Sequence, residues 1–547
     1  MIDEVFVDLL SVERMDHLGL IAGVIKDLGI VQSIDGRIGR HAEEKVSCGE
    51  AVAGMIVNGL GFSDKPLTLA PHFFDNAPTA LLLGPHAEPA HFNRFKLGRA
   101  LDDVHGYGCD LLFSELAMSA CKKEGVETRF RHLDSTSFSL NGEYLPDLDV
   151  EAVTITHGHS KDHRPDLKQV VLELMSTQDG RVPLISKSWD GNTSDNEIFR
   201  ERAKAIVDEF KNGADKHYLI ADSKLYSESN AKNLLDLPFI TRVPESINLV
   251  QDYINRALTD DSSWEVISES RKIKVFELEH YGIKQRWCVV YSKGANERSK
   301  VSISRNISKE QVAIDKELFH LAAQRFSCEP DARKELEKLS KKWKSFTPEN
   351  IEVSAVSKHQ GRGRPKATTE PIEVLYKISA TAKALEAISD ERIERGSCYV
   401  VGTNIPEMEL TSKEIVENYS GQDSVERGFR FLKDPVFFVS SLFVKKPSRV
   451  EGLLMVMTLA LLVYSIAERR LRKKLLETEA TLPNQIKKET ASPTLRWVFQ
   501  LLTGINRVKI SINGVESYIW HGITDIRRKI LSLLGDTVME IYGLNQT

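Results

Sequence analysis

The spacing of apolar residues changes along this chain, and each change predicts a different kind of element. The first 125 residues read as helical: "DHLGLIAGVIKDLG" carries apolar residues at helical intervals and closes on a glycine. Ahead of "AVAGMIV", Ser47 and Glu50 stand in the order of a capping box, which predicts a helix start there. From about residue 126 the pattern turns to strands. "TRFRHLDSTSFSL", "AVTITH" and "VPLISKSWDG" are short, β-rich and bounded by turn residues, so consecutive antiparallel strands are predicted. A helix follows at "NEIFRERAKAIVDEF". In "HYLIADSKLYS" the apolar run Tyr218 to Ala221 leads straight into Asp222, which predicts a strand covered on both faces with an acid at its C-terminal end. The helix "SESNAKNLLDL" and the strand "PFITRV" continue the α/β alternation.

Residues from about 245 to 395 break that rhythm. Strand-like pieces ("WEVISES", "RKIKVFELEHY", "QRWCVVYS") surround a charged helical stretch near 308–344, too long for a loop and therefore read as an inserted domain. "SCYVVGTNI" (397–405) resumes the first fold. The apolar run "GLLMVMTLALLVYSIA" (452–467) falls short of the roughly 20 residues that span a bilayer, so a buried core helix is predicted and no membrane association.

Composition adds limits. With 547 residues, 41% of them hydrophobic and 28% charged, the chain can bury large cores and divide into several domains. A net charge of −5 gives no global attraction for nucleic acid, but basic residues concentrate at 341–344, 358–366 and 468–474, where local patches suit phosphates. The six cysteines, at 48, 109, 121, 288, 328 and 398, form no CxxC pair, which speaks against a zinc ribbon or a disulfide framework. The N-terminus lacks the basic region of a secretory signal, and a cytoplasmic location is expected. "NGLGF" is no dinucleotide fingerprint, since no third glycine follows.

The candidate chemistry rests on three carboxylates. On the first strand Asp134 shares a face with Phe130, His132, Thr136 and Phe138, a site where a carboxylate needs partners. Asp222 ends an apolar strand. In "YSGQDSVERGFRFLKDPVFF", Val425, Phe429, Leu432 and Val436 form one apolar helix face, and Tyr419, Gln422, Glu426, Arg430 and Lys433 form a stripe beside it. Three acids from two strands and a helix repel one another unless divalent cations neutralise them, and all-oxygen ligands favour Mg²⁺ or Mn²⁺. Two such ions suit in-line displacement at phosphorus. Lys433, Arg430 and the Tyr419 hydroxyl would then bind phosphates of the strand being cut.

Together, "HLDST", "IADSK" and "YSGQDSVERGFRFLK" resemble the DDE transposases of bacterial and archaeal insertion sequences, in the subgroup with a Tyr-x2-Arg-x3-Glu-x6-Lys signature. Tyr419, Glu426 and Lys433 match that signature, and Gln422 stands at its arginine position, leaving Arg430 as the substitute cation. The resemblance covers most of the chain, including "GHSKDHRPDLKQ" (158–169). It implies an α/β fold with a ribonuclease H-like core (a mixed sheet with flanking helices) at 126–245 and 396–470. A mainly β insertion domain with a charged helical stretch is expected at 246–395. A helical N-terminal domain at 1–125 would bind DNA ends, and a helical C-terminal region would fill 471–547. It also implies catalysis and metal binding by Asp134, Asp222 and Glu426 with two Mg²⁺ (or Mn²⁺) ions, cleavage at the element's inverted-repeat ends, strand transfer into target DNA, and a homodimer in the synaptic complex.

Further DNA contacts are expected from Lys161 in "HGHSKDH", read as a hairpin tip rather than a zinc site, and from Arg164 just after it. Arg362 and Arg364 in "GRGRPK" suit the minor groove, with a plain linker as the other reading. For Trp264 and Trp287 in the insertion, a core position stands beside the role the resemblance implies, stacking on an extruded base, and neither residue is assigned. Competing functions are a carboxylate-pair glycosidase, which would need no cationic stripe, and a DNA-binding descendant of a transposase without cleavage.

Overall fold

The computed structural model describes residues 7–61, 67–146, 150–211, 216–359, 372–434 and 444–545. Two compact units divide the chain: 1–241 with 281–283 and 417–547, and 242–280 with 284–416.

The first unit is mixed α/β. Strand β1 (Val7–Arg14) pairs antiparallel with Asn506–Ile512, which pairs in turn with Val515–His521. The chain's two ends therefore share a three-stranded sheet, which corrects the expectation of purely helical regions at 1–125 and 471–547. The predicted capping box is present: Ser47 Oγ accepts from the Glu50 amide at 3.0 Å, and the Glu50 carboxylate accepts from the Ser47 amide at 2.7 Å.

A second sheet carries the candidate acids. Among its strands are β2 (Phe130–Leu140), β3 (Lys168–Thr177), β4 (Pro183–Trp189), β5 (Tyr218–Ala221) and β6 (Phe239–Arg242), in the order β4-β3-β2-β5-β6. β2, β3 and β4 pair antiparallel, whereas β2, β5 and β6 pair in parallel. The predicted strand "AVTITH" makes only one bridge, Thr156 to Gln169. The true neighbour of β2 is β3, whose nearly continuous burial leaves no period-two signal to read.

The apolar run 452–467 lies in a helix of 31 residues, Pro447–Glu477. By length and composition this helix could cross a membrane, yet 89% of its apolar window is buried inside the protein. A helix apolar on all sides belongs in a core. It packs on helices Leu18–Leu28, Cys48–Leu60, Arg94–Tyr107 and Cys109–Glu124 and on β4. The arginines of the 468–474 run are ties within the protein. Arg469 forks onto Asp179 at 2.8 and 2.6 Å, Arg470 joins Asp27 and Glu124, and Arg472 pairs with Glu468.

The second unit contains β7 (Glu265–Ser268), β8 (Arg271–His280), β9 (Ile283–Ser292), the hairpin of β10 (Phe346–Lys358) with β11 (Glu373–Ala384), and β12 (Cys398–Thr403). Four of these strands lie side by side in the order β12-β9-β8-β7. The helices Lys293–Ala323 and Glu329–Ser340 fill the charged stretch and make the unit mixed rather than mainly β. β12, expected to resume the first fold, is counted with this unit. Trp287 is fully buried, whereas Trp264 is half-buried. Arg362 and Arg364 lie outside the described residues.

Candidate active site

The site is built where one strand stops early. β5 ends at Ala221, opposite Leu133, while β2 continues to Leu140. Beyond that point Asp134 on β2 and Asp222 after β5 stand side by side in a notch of the sheet. Backbone amides orient both: Ser135 N–H donates to Asp134 Oδ1 at 2.7 Å and Lys224 N–H to Asp222 Oδ1 at 2.9 Å. Thr241 Oγ1 holds the Asp222 carbonyl at 2.8 Å, fixing the turn. Burial pushes the Asp134 carboxyl up to about 6, with Lys161 pulling it down and the charge of Asp222 adding to the rise. Burial also raises Asp222, against the Lys224 amide, and Asp195 adds to the rise. Two neighbouring acids short of counter-charge are a poor arrangement for stability and a good one for a cation.

Asp195, at the start of helix Asp195–Lys211, gathers the nearby cations. Lys161 Nζ donates to Asp195 Oδ1 at 3.0 Å, to the Ser135 carbonyl at 2.5 Å and to Ser135 Oγ at 3.0 Å. Lys224 Nζ and Ser135 Oγ also donate to the Asp195 carboxylate. Burial would raise Asp195, but these hydrogen bonds and the Lys161 charge outweigh it and hold the acid below its usual range. A cleft of about 350 Å³ opens beside the group, lined by Ser137, His159, Lys161, Asp195 and Lys224.

The glutamate helix is shorter than the sequence suggested. One helix ends at Tyr419, a 3₁₀ turn spans Ser420–Gln422, and a second helix runs Asp423–Leu432. Tyr419 and Glu426 are therefore not on one continuous helix face, which corrects the two-turn spacing read from the sequence. The apolar face holds for Val425, Phe429 and Leu432, which are buried, while Val436 lies outside the described residues. Two anchors set the second helix on the sheet. The Gln422 amide donates to the Leu133 carbonyl at 3.2 Å, and its oxygen lies 3.1 Å from His132 Nδ1. Gly428 lies so close to Leu174, the cross-strand partner of Asp134, that a Cβ there would sit 3.1 Å from it. Cross-strand partners share a face, so the helix packs on the face to which Asp134 points. Glu426 is exposed, on the first turn of the second helix and four residues beyond Gln422.

The remaining predicted residues divide. Lys433 pairs with Asp162 at 2.6 Å, tying the glutamate helix to the loop that carries Lys161. Arg164 forks onto Asp166 at the surface, and Arg430 is exposed. Among the described residues, the group of three acid or histidine ligands whose atoms lie within 4.8 Å of one another is His41, Glu44 and Asp103. Asp134, Asp222 and Glu426 are more widely set than that. The donor set nevertheless fits a hard divalent ion: oxygen only, mutually repelling, and half-buried at its two aspartates. Sequence reading missed Asp195, Ser135 and Lys224. An acid opening a helix reads as an ordinary N-terminal charge, and only the fold brings two lysines to it.

A family model described as "Transposase DDE domain" matches residues 127–463, and one described as "Domain of unknown function (DUF4277)" matches residues 10–118. No curated protein matches the chain. Among solved structures it is similar to a cryo-EM structure of the piggyBac transposase synaptic complex with hairpin DNA. Identity is 8% and the TM-score 0.33, over 89% of this chain and 79% of that one. That likeness is too distant to add to the functional reading. The family model spans more than half of the chain and contains the acid notch and both of its lysines, and on that match the chain belongs to the DDE transposase domain family.

Proposed function

We propose that this transposase cleaves DNA at the inverted-repeat ends of its own insertion sequence and joins the 3′ hydroxyls to target DNA, with Asp134, Asp222 and Glu426 as metal ligands. The observation that carries this reading is the Asp134–Asp222 pair, half-buried side by side at the end of β5, where neither carboxylate accepts a hydrogen bond from an ammonium among the described residues. Divalent ions held there, Mg²⁺ or Mn²⁺, would supply activation of the attacking oxygen and stabilisation of the leaving one. The protein's own part is positioning. Asp134 and Asp222 are fixed by the sheet, and Glu426 is carried over the same face by its anchored helix.

Lys161, Lys433, Arg430 and Arg164 face the phosphates, and Tyr419 offers a hydroxyl at the glutamate helix. Gln422 in place of the signature arginine is an adaptation of the Tyr-Arg-Glu-Lys subgroup: a neutral amide serves where His132 already fills the space beside it. In this reading the first unit's sheet is the ribonuclease H-like core, the second unit is the insertion, residues 1–125 bind DNA ends, and Arg362 and Arg364 enter a minor groove. Two copies act in the synaptic complex, inside the cell and on its nucleoid.

The test uses a duplex carrying the terminal repeat found beside the gene. Asp134→Ala, Asp222→Ala and Glu426→Ala should each abolish Mg²⁺-dependent end cleavage while retaining end binding, because affinity comes mainly from basic contacts. Wild-type cleavage by any one of them removes that residue from the site. Cleavage that survives EDTA overturns the metal reading.

A further inference from the structure

Lys161 and Lys224 come from different loops, and each lies within electrostatic reach of both aspartates. Yet neither ammonium is hydrogen-bonded to Asp134 or Asp222. Both go instead to Asp195, one to each carboxylate oxygen. Ser135, the residue after Asp134, completes the arrangement by donating its hydroxyl to Asp195 and accepting Lys161 at its carbonyl. A lysine beside two half-buried carboxylates that accept no ammonium is drawn to them, since an ion pair there would satisfy both charges. Something must hold the ammoniums away. Asp195, with 15% of its side chain exposed, is fixed at the start of a helix and supplies the competing carboxylate.

We propose that Asp195 is a positioning residue. It tethers Lys161 and Lys224 at the rim of the acid pair, so that they do not occupy the carboxylates that take the metals and are presented to the DNA backbone instead. The inference rests on the metal-site reading of Asp134 and Asp222. It assigns a role to a fourth acid that is itself no ligand, and it makes Lys224 a phosphate contact beside Lys161. A cleft of about 350 Å³ lies next to the tether, with Lys161 and Lys224 both in its lining, where the nucleotide beside the scissile bond would sit.

Mn²⁺ binding by the full-length protein without DNA, followed by the paramagnetic resonance of free Mn²⁺, tests this apart from cleavage. Asp195→Asn should weaken Mn²⁺ binding about tenfold, because the freed ammoniums fall onto Asp134 and Asp222. Adding Lys161→Gln and Lys224→Gln to Asp195→Asn should restore affinity to the wild-type value or better. Weakening without that rescue would make Asp195 a metal ligand, and unchanged affinity in Asp195→Asn would make it a structural cap; either result overturns the tether. Should Asp195→Asn not fold, Asp195→Glu carries the test. A longer carboxylate still holds the lysines and should change affinity less than twofold, whereas a tenfold loss contradicts the proposal. Equal Mn²⁺ binding by wild type and Asp134→Asn would instead refute the underlying metal reading.

Discussion

Two acids occupy neighbouring positions on adjacent strands of one sheet and meet opposite fates. Glu173 on β3 pairs in register with Ser135, the residue after Asp134. It is fully buried, and its carboxylate is satisfied: Arg202 donates from Nε at 2.6 Å and Nη2 at 3.2 Å, and Trp189 Nε1 donates at 2.9 Å. Asp134 points to the other face and is satisfied by one backbone amide, with its carboxyl pushed up to about 6. A buried acid with a forked arginine is part of the framework. One whose nearby lysines are engaged elsewhere keeps its charge available for a ligand. Glu173 is also the more deeply buried of the two, Asp134 being partly exposed, and their partners differ as sharply as their burial.

Breaking the satisfied acid should have the largest effect. Glu173→Gln leaves the Arg202 guanidinium buried beside a neutral amide, and a loss of about 3–5 kcal/mol in unfolding free energy is expected from denaturant titration. A change below about 1 kcal/mol would show that Arg202 finds other partners and that the contrast with Asp134 is overdrawn.

Asp134→Asn should move stability the other way. Its folded pKa of about 6 lies above the ordinary value of 3.8, so the folded state holds the proton more tightly and stability falls as pH rises between those values. Removing the charge should therefore stabilise the metal-free protein by about 2–3 kcal/mol at pH 8, with the gain vanishing below about pH 4. Thermal melts of both proteins in EDTA across that range measure it. A variant less stable than wild type at pH 8 contradicts the account.

Gln422 sharpens the comparison on the helix side. From the signature alone, an arginine here would be expected to strengthen phosphate contacts. In the folded protein the amide is already engaged with Leu133 and His132, and His132 is buried, with burial lowering its pKa against the hydrogen bonds of Gln422 and Gln178. Gln422→Arg should thus cost about 1 kcal/mol of stability through the lost amide contacts. His132→Asn should remove part of that cost, which a double-mutant cycle would detect. Strict additivity would show that the two positions act independently. The smallest effect is expected at the surface: Lys433→Ala breaks a partly exposed pair with Asp162, and its stability cost should stay below about 1 kcal/mol.

Much of this was legible in the sequence because local pattern and tertiary role coincide there. The unbroken run Tyr218 to Ala221 is β5, and Asp222 follows its last residue as the pattern implied. The 452–467 run is a core helix because no charged residue interrupts it. What was not legible depends on long-range pairing. β3 lacked an alternating pattern because both of its faces are covered. The strand joining the chain's ends needs residues some 500 positions apart. Asp195 gains its meaning from two lysines that only the fold delivers, and the 3₁₀ turn at Ser420–Gln422 interrupts a stripe whose residue spacing gives no sign of a break.

The central claim is that Glu426, carried on its anchored helix, completes a metal site with Asp134 and Asp222, and a cysteine substitution tests it most directly. A thiolate binds the softer Mn²⁺ better than Mg²⁺. Glu426→Cys should therefore lose end cleavage in Mg²⁺ and recover a measurable part of it in Mn²⁺, as should Asp222→Cys, while Glu426→Ala recovers none. Full Mg²⁺-dependent cleavage by Glu426→Cys, or Mn²⁺ recovery by Glu426→Ala equal to that of the cysteine variant, would show that Glu426 is not a ligand and would contradict the account.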